Sequence, residues 1–104
     1  MLLNAVFTEL LRRHYKPGMD LFYFRTRNDR EIDFICRKEH IVEQMIQVCY
    51  DVTNPKALKR EIAALVEASY ELACNNLLLI TRDNEEVKKK QAKYSAPASL
   101  QVAV

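Results

Sequence analysis

The chain has 104 residues, 49% of them hydrophobic, and a formal net charge of +2. That length fits one small globular domain over residues 1–104, and so mild a charge permits nucleic acid as a partner without arguing for it. No apolar run approaches the ~20 residues that span a bilayer, no secretory signal is present, and three widely spaced cysteines (Cys36, Cys49, Cys74) suit free thiols in a reducing cytoplasm.

Asn4 to His14 reads as an amphipathic helix: Leu3, Val6, Phe7, Leu10, Leu11 and His14 keep the i, i+3, i+4, i+7 spacing, with Asn4 the candidate N-cap. Pro17 and Gly18 break it. Gly18 is the only glycine, which excludes both Gly-rich phosphate loops, so this chain is not expected to bind a nucleotide by either device. Leu21 to Arg27, with Phe22, Tyr23 and Phe24, reads as a strand, and Asn28-Asp29 as a turn into a second strand over Arg30 to Arg37. Lys38 to Val42 turns the chain into a third strand, Glu43 to Tyr50, so an antiparallel meander is expected. Asn54 as N-cap and Pro55 at the first helical position start a long helix that runs to about Cys74 and is ended by Asn75-Asn76. Its buried stripe is Leu58, Ile62, Leu65, Val66, Leu72 and Ala73. Leu77 to Thr81 is a short apolar run, expected as a buried strand that re-enters the sheet by a right-handed crossover. Asp83 to Lys93 reads as an exposed loop or irregular hairpin, and Ser99 to Val104 as a last edge strand.

The second and third strands carry polar side chains where a purely structural sheet has no need of them. By strand alternation Ile32, Phe34 and Cys36 share one face, and Ile46, Val48 and Tyr50 another. If both sets point into the core, Asp33, Gln47 and Cys49 converge on the outer side. An acid on one strand and a polar-x-polar pair on the next is the layout of a metal-dependent nuclease site.

Four stretches go further. N-A-V-F-T-E-L-L-R-R from Asn4, E-I-D-F from Glu31, I-Q-V-C-Y-D from Ile46 and N-L-L-L-I-T from Asn76 resemble, in order and spacing, one group of domains. It is the C-terminal domain of unknown function that follows the ATPase module in prokaryotic AAA-type ATPases. The resemblance covers about residues 2–81, with 82–104 unmatched. It implies the restriction-endonuclease-like, PD-(D/E)XK core: an α/β domain of order α-β-β-β-α-β, with a mixed central sheet flanked by helices.

In that superfamily acidic side chains hold Mg²⁺ or Mn²⁺, which activates water and offsets charge on the phosphate, while a lysine two residues after the second acid orients the water. By position, Glu9 is the helical acid, Asp33 the first strand acid and Gln47 the second, making Glu9, Asp33 and Gln47 the implied metal set. Cys49 stands at the lysine place. Gln47 offers only a neutral carbonyl oxygen, and Cys49 cannot supply a positive charge. Glu31 and Asp51 are candidate replacement oxygens, and Lys59 or Arg60 a replacement charge. A Cys–His pair with His14 or His40 lacks a third orienting group.

The expected function is therefore a degenerate nuclease-like domain of an ATPase family, acting in interaction or nucleic-acid recognition. One alternative is an active Mg²⁺-dependent phosphodiesterase; the other is a protein-only docking or dimerisation module. Arg12, Arg13, Arg25 and Arg27 are the candidate nucleic-acid contacts. An ATPase module is the partner the resemblance implies. A homodimer through a sheet edge or the long helix is a further expectation.

Overall fold

The computed structural model describes residues 2–50, 53–81 and 100–103. The loop expected over Asp83 to Lys93 lies outside the described residues, as does Asp51. Helix α1 spans Leu2–Arg12. It begins before the expected cap: Asn4 sits inside the helix, its carbonyl accepting from Thr8 Oγ1 at 2.8 Å. The first-turn N–H of Leu3 donates instead to the Tyr50 hydroxyl at 3.2 Å, a long-range substitute for a local cap. The helix stops where His14 turns left-handed (φ 71°) and Tyr15 N–H returns to the Leu10 carbonyl at 3.1 Å.

Strand β1 is Leu21–Arg25, two residues shorter than expected. Thr26 and Arg27 join the turn, where Thr26 N–H donates to the Arg30 carbonyl (2.8 Å) and Asp29 takes a φ of 65°. Strands β2 (Glu31–Lys38) and β3 (Ile41–Cys49) are joined by Glu39-His40 alone. Both residues have positive φ, 51° and 70°, as a two-residue hairpin loop requires, although glycine is the residue that takes this conformation at least cost.

Helix α2 spans Pro55–Leu72, and its start is the one the sequence announced. Asn54 Oδ1 accepts from Lys56 N–H at 3.0 Å and Ala57 N–H at 3.3 Å. Asn54→Ala is expected to lower stability by about 1 kcal/mol, measured by urea unfolding. The helix ends before Asn75, because Ala73 adopts the left-handed conformation (φ 52°) and Cys74 N–H bonds back to Ser69. Its acids also hold the first hairpin: Glu71 accepts from Arg27 N–H at 3.0 Å and Glu67 from Asn28 N–H at 3.1 Å.

Strands β4 (Leu77–Thr81) and β5 (Leu100–Ala103) complete a five-stranded sheet of order β1-β2-β3-β4-β5. The first three strands are antiparallel, and β3–β4 and β4–β5 are parallel. The domain is thus a mixed α/β fold, with one sheet and two helices among the described residues. Helix α2 packs Leu58, Ile62, Leu65 and Ala68 on one face, over Ile35, Met45, Leu77 and Leu79. On the other face Val6 and Leu10 of α1 pack over Phe34, Cys36, Ile46 and Val48.

This corrects the expectation of one core and one outer face. A helix packs on each face, and Met45 through Cys49 are all buried. Within β2 the pairing passes from Phe22↔Ile35 to Phe24↔Ile32, so Asp33 and Phe34 together oppose Tyr23. That bulge lets Ile32 and Ile35, three residues apart, join the same cluster under α2.

Candidate functional site

The β2–β3 pairing runs from Lys38↔Ile41 to Phe34↔Ile46, with a shift of register between Cys36 and Arg37, and stops there. Beyond it, at the bulge, side chains take over from the backbone ladder. Gln47 Oε1 accepts Asp33 N–H at 2.8 Å, and Gln47 Nε2 donates to the Glu31 carbonyl at 2.8 Å. Asp33 Oδ2 accepts Val48 N–H, also at 2.8 Å. The two polar residues read from the sequence thus meet, and each is bonded to the other strand's main chain. Gln47 is only 2% exposed, so these bonds satisfy groups that would otherwise be buried without water.

A cleft of about 360 Å³ opens beside this clip, lined by Leu3, Glu31, Asp33, Gln47, Arg60 and Glu61 among others. Glu61 was not singled out by sequence. Its carboxyl is pushed up to about 7, first by burial and then by the charge of Asp33, with Arg60 and Gln47 pulling the other way. Arg60 Nε lies 3.6 Å from Glu61 Oε1. Asp33 is also raised, by burial above all, with the Val48 N–H opposing and Glu31 adding to the rise. A signal for Glu61 was present: with Leu58, Ile62 and Leu65 it completes the i, i+3, i+4, i+7 pattern of the buried stripe.

Cys49 lines the same cleft and is 2% exposed, packed in the cluster under α2. A buried thiol there acts as a small hydrophobe and carries none of the charge a lysine would bring. Glu9 does not join the others. It lies on α1, across the sheet, where Arg12 holds it through bonds of 2.7 and 3.0 Å and Arg13 approaches to 3.8 Å. The Arg12 hydrogen bond keeps its carboxyl below the usual range. The implied metal set of Glu9, Asp33 and Gln47 is therefore divided between two faces. Among the described residues no three His, Cys, Asp or Glu side chains converge to hold a metal ion. His14 and His40 are exposed at left-handed corners, whereas the cysteines are buried.

The candidate phosphate contacts are split as well. Arg12 and Arg13 stand on α1, Arg25 ends β1 and Arg27 lies in the turn after it. Arg25 binds Asp29, the Tyr23 hydroxyl (3.1 Å) and Glu31 (2.7 Å). Nearby, Arg30 pairs with Glu67 at 3.0 Å, and Arg37 lies over the Phe22 ring at 4.4 Å. Most of these guanidinium groups already face an acid or a ring.

A five-stranded mixed sheet between two helices, with its hairpin clipped at the bulge, is the form this sequence takes as a member of a known family. The chain belongs to the family described as Domain of unknown function (DUF4143), whose profile matches residues 1–100. Over 88 residues, 83% of this chain, it is 38% identical to an uncharacterized protein of Methanocaldococcus jannaschii, MJ1544. The chain spans 19% of that protein's length. Among the described residues no helix is long and apolar enough to cross a membrane.

Proposed function

We propose that this domain is a non-hydrolytic docking module built on the restriction-endonuclease-like frame and belonging to a longer ATPase-type polypeptide. The element order and the antiparallel meander followed by a parallel strand are what that frame requires. The module reading is supported by the relative, of which this chain matches only a fifth or so. One observation carries the absence of hydrolysis: the side chains at the acid positions are committed to the backbone. Gln47 uses both ends of its amide and Asp33 one carboxylate oxygen to hold β2 against β3.

The donor set does not suit Mg²⁺, which demands near-octahedral oxygen ligands and ionised carboxylates. Gln47 points its carbonyl at an N–H and Asp33 gives one carboxylate oxygen to the Val48 N–H, which leaves this pair few oxygens to coordinate an ion. The competing reading, a Mg²⁺-dependent phosphodiesterase, draws its support from Glu61, a second acid facing Asp33 that the motif alone does not supply. Protein rather than nucleic acid is the favoured partner, because the arginines on the hairpin and α1 are largely paired.

Calorimetric titration with Mn²⁺ tests the choice. No heat of binding at millimolar Mn²⁺ is expected for the wild type or for Asp33→Asn, which keeps an acceptor for Val48 N–H. Binding by the wild type that disappears in Asp33→Asn would overturn the docking reading in favour of the enzyme.

A further inference from the structure

We infer that the domain pairs with a second copy of itself across the sheet face that carries α1. The inference deepens the docking reading by naming the partner. Parallel strands are ordinarily covered on both faces. Helix α2 covers one side of β4, but on the other side Leu78 and Ile80 are left only half-buried beside α1. They form, with Ile46, the floor of an open groove of about 320 Å³ whose wall is α1.

The rim of this groove identifies its occupant. Glu9 and Arg13 line it, one helical turn apart, with Ala5 a turn before Glu9. In an isologous contact residue i meets j and j meets i. An antiparallel approach of two α1 helices sets Glu9 of one copy against Arg13 of the other, twice over. Ala5, on the same flank, leaves room for the helices to come close. A rim of one acid and one base in this order is complementary to itself, which a surface built for an unrelated partner has no reason to be. Within one chain Arg13 is only loosely held, 3.8 Å from Glu9 with its side chain 69% exposed, and so can turn to a neighbour. The β1 edge of the sheet is a poorer meeting place, because Arg25 and its acids close one end of that strand.

Sedimentation velocity of the full chain, wild type against Glu9→Arg, Arg13→Glu and their equimolar mixture, tests this directly. Both positions are solvent-exposed, and circular dichroism will verify that each variant is folded. The wild type is expected to dimerise, and each single variant to dissociate about tenfold or more readily, since like charges then meet at two symmetry-related places. The mixture is expected to regain dimer, because the mixed pair restores opposite charges at both contacts. A wild type that stays monomeric at about 0.1 mM overturns the inference, as do variants that dimerise as tightly as the wild type or a mixture that fails to recover. Leu78→Asp, on the groove floor, is expected to give monomer as well. A monomeric chain without Mn²⁺ binding would leave the non-hydrolytic reading standing, whereas Mn²⁺ binding by a dimer would remove that reading and leave the pairing.

Discussion

Replacing Gln47 by leucine is expected to lower the free energy of unfolding by about 2–3 kcal/mol, read from urea curves at constant m-value. Leucine is close to glutamine in size, so little of this comes from a cavity. The cost arises because Asp33 N–H and the Glu31 carbonyl lose their partner where the backbone ladder has already ended. Each such group costs about 1–3 kcal/mol when buried, and the open cleft, by admitting water, keeps the sum near the lower end. Gln47→Glu is the sharper comparison, since it restores the acid at the nuclease position. It supplies no donor for Glu31 and places a third carboxyl beside Asp33 and Glu61. At neutral pH it is expected to be at least as damaging as the leucine, with part of the loss recovered in acid as the carboxyls protonate. A Gln47→Glu variant as stable as the wild type would mean that the clip contributes little.

Stability is expected to fall between pH 5 and pH 8, by on the order of 2 kcal/mol, and most of the fall is expected to disappear in Glu61→Gln. In the fold Glu61 titrates at about 7, against 4.5 when unperturbed. Between those values the folded chain holds a proton that the unfolded chain has released, so rising pH favours unfolding. The contribution is complete below the unfolded value and is lost as pH passes the folded one. The full shift corresponds to about 3 kcal/mol, of which about three-quarters falls in this window, and the fifth of the side chain that remains accessible to water reduces it further. Asp33, also raised, acts in the same direction from a lower starting point. Glu9, Asp20 and Glu67 are depressed, so their contributions change below the ordinary carboxylate range and do not enter this window. Urea midpoints at pH 5 and 8 that agree within error for the wild type would refute the argument.

The order of elements was legible in the sequence because its signals are local. The Asn54-Pro55 helix start, the apolar spacing of α1 and the short run at Leu77 each announce themselves within a few residues. The site was legible in part. Asp33, Gln47 and Cys49 do lie together: alternation sets Gln47 and Cys49 on one face of β3, and Asp33 meets them from the bulge. Which face they occupy was not legible, because that depends on α2 closing over the side expected to be open. The bulge in β2 was hidden for a related reason: nothing in E-I-D-F-I marks an extra residue, and only the pairing with β1 reveals it. Glu9 was assigned from a likeness, but the rotation of α1 on its own sheet face decides where that carboxylate goes. Glu61 went unnoticed because an acid inside an apolar stripe was counted neither with the buried stripe nor among the candidate site residues.

Strand β1 has a consequence for the chain in crowded company. Among the described strands it is an outer one, paired with β2 alone, and unprotected outer strands invite other chains to add to them. Here the Pro17–Leu21 bridge closes one end, with Gly18 N–H on the Leu21 carbonyl at 3.0 Å. Arg25, clasped by Asp29, Tyr23 and Glu31, closes the other. What remains between them is too short a template for a growing fibre. A polypeptide carrying this domain can be held at high local concentration with its sheet sealed against runaway strand addition along β1.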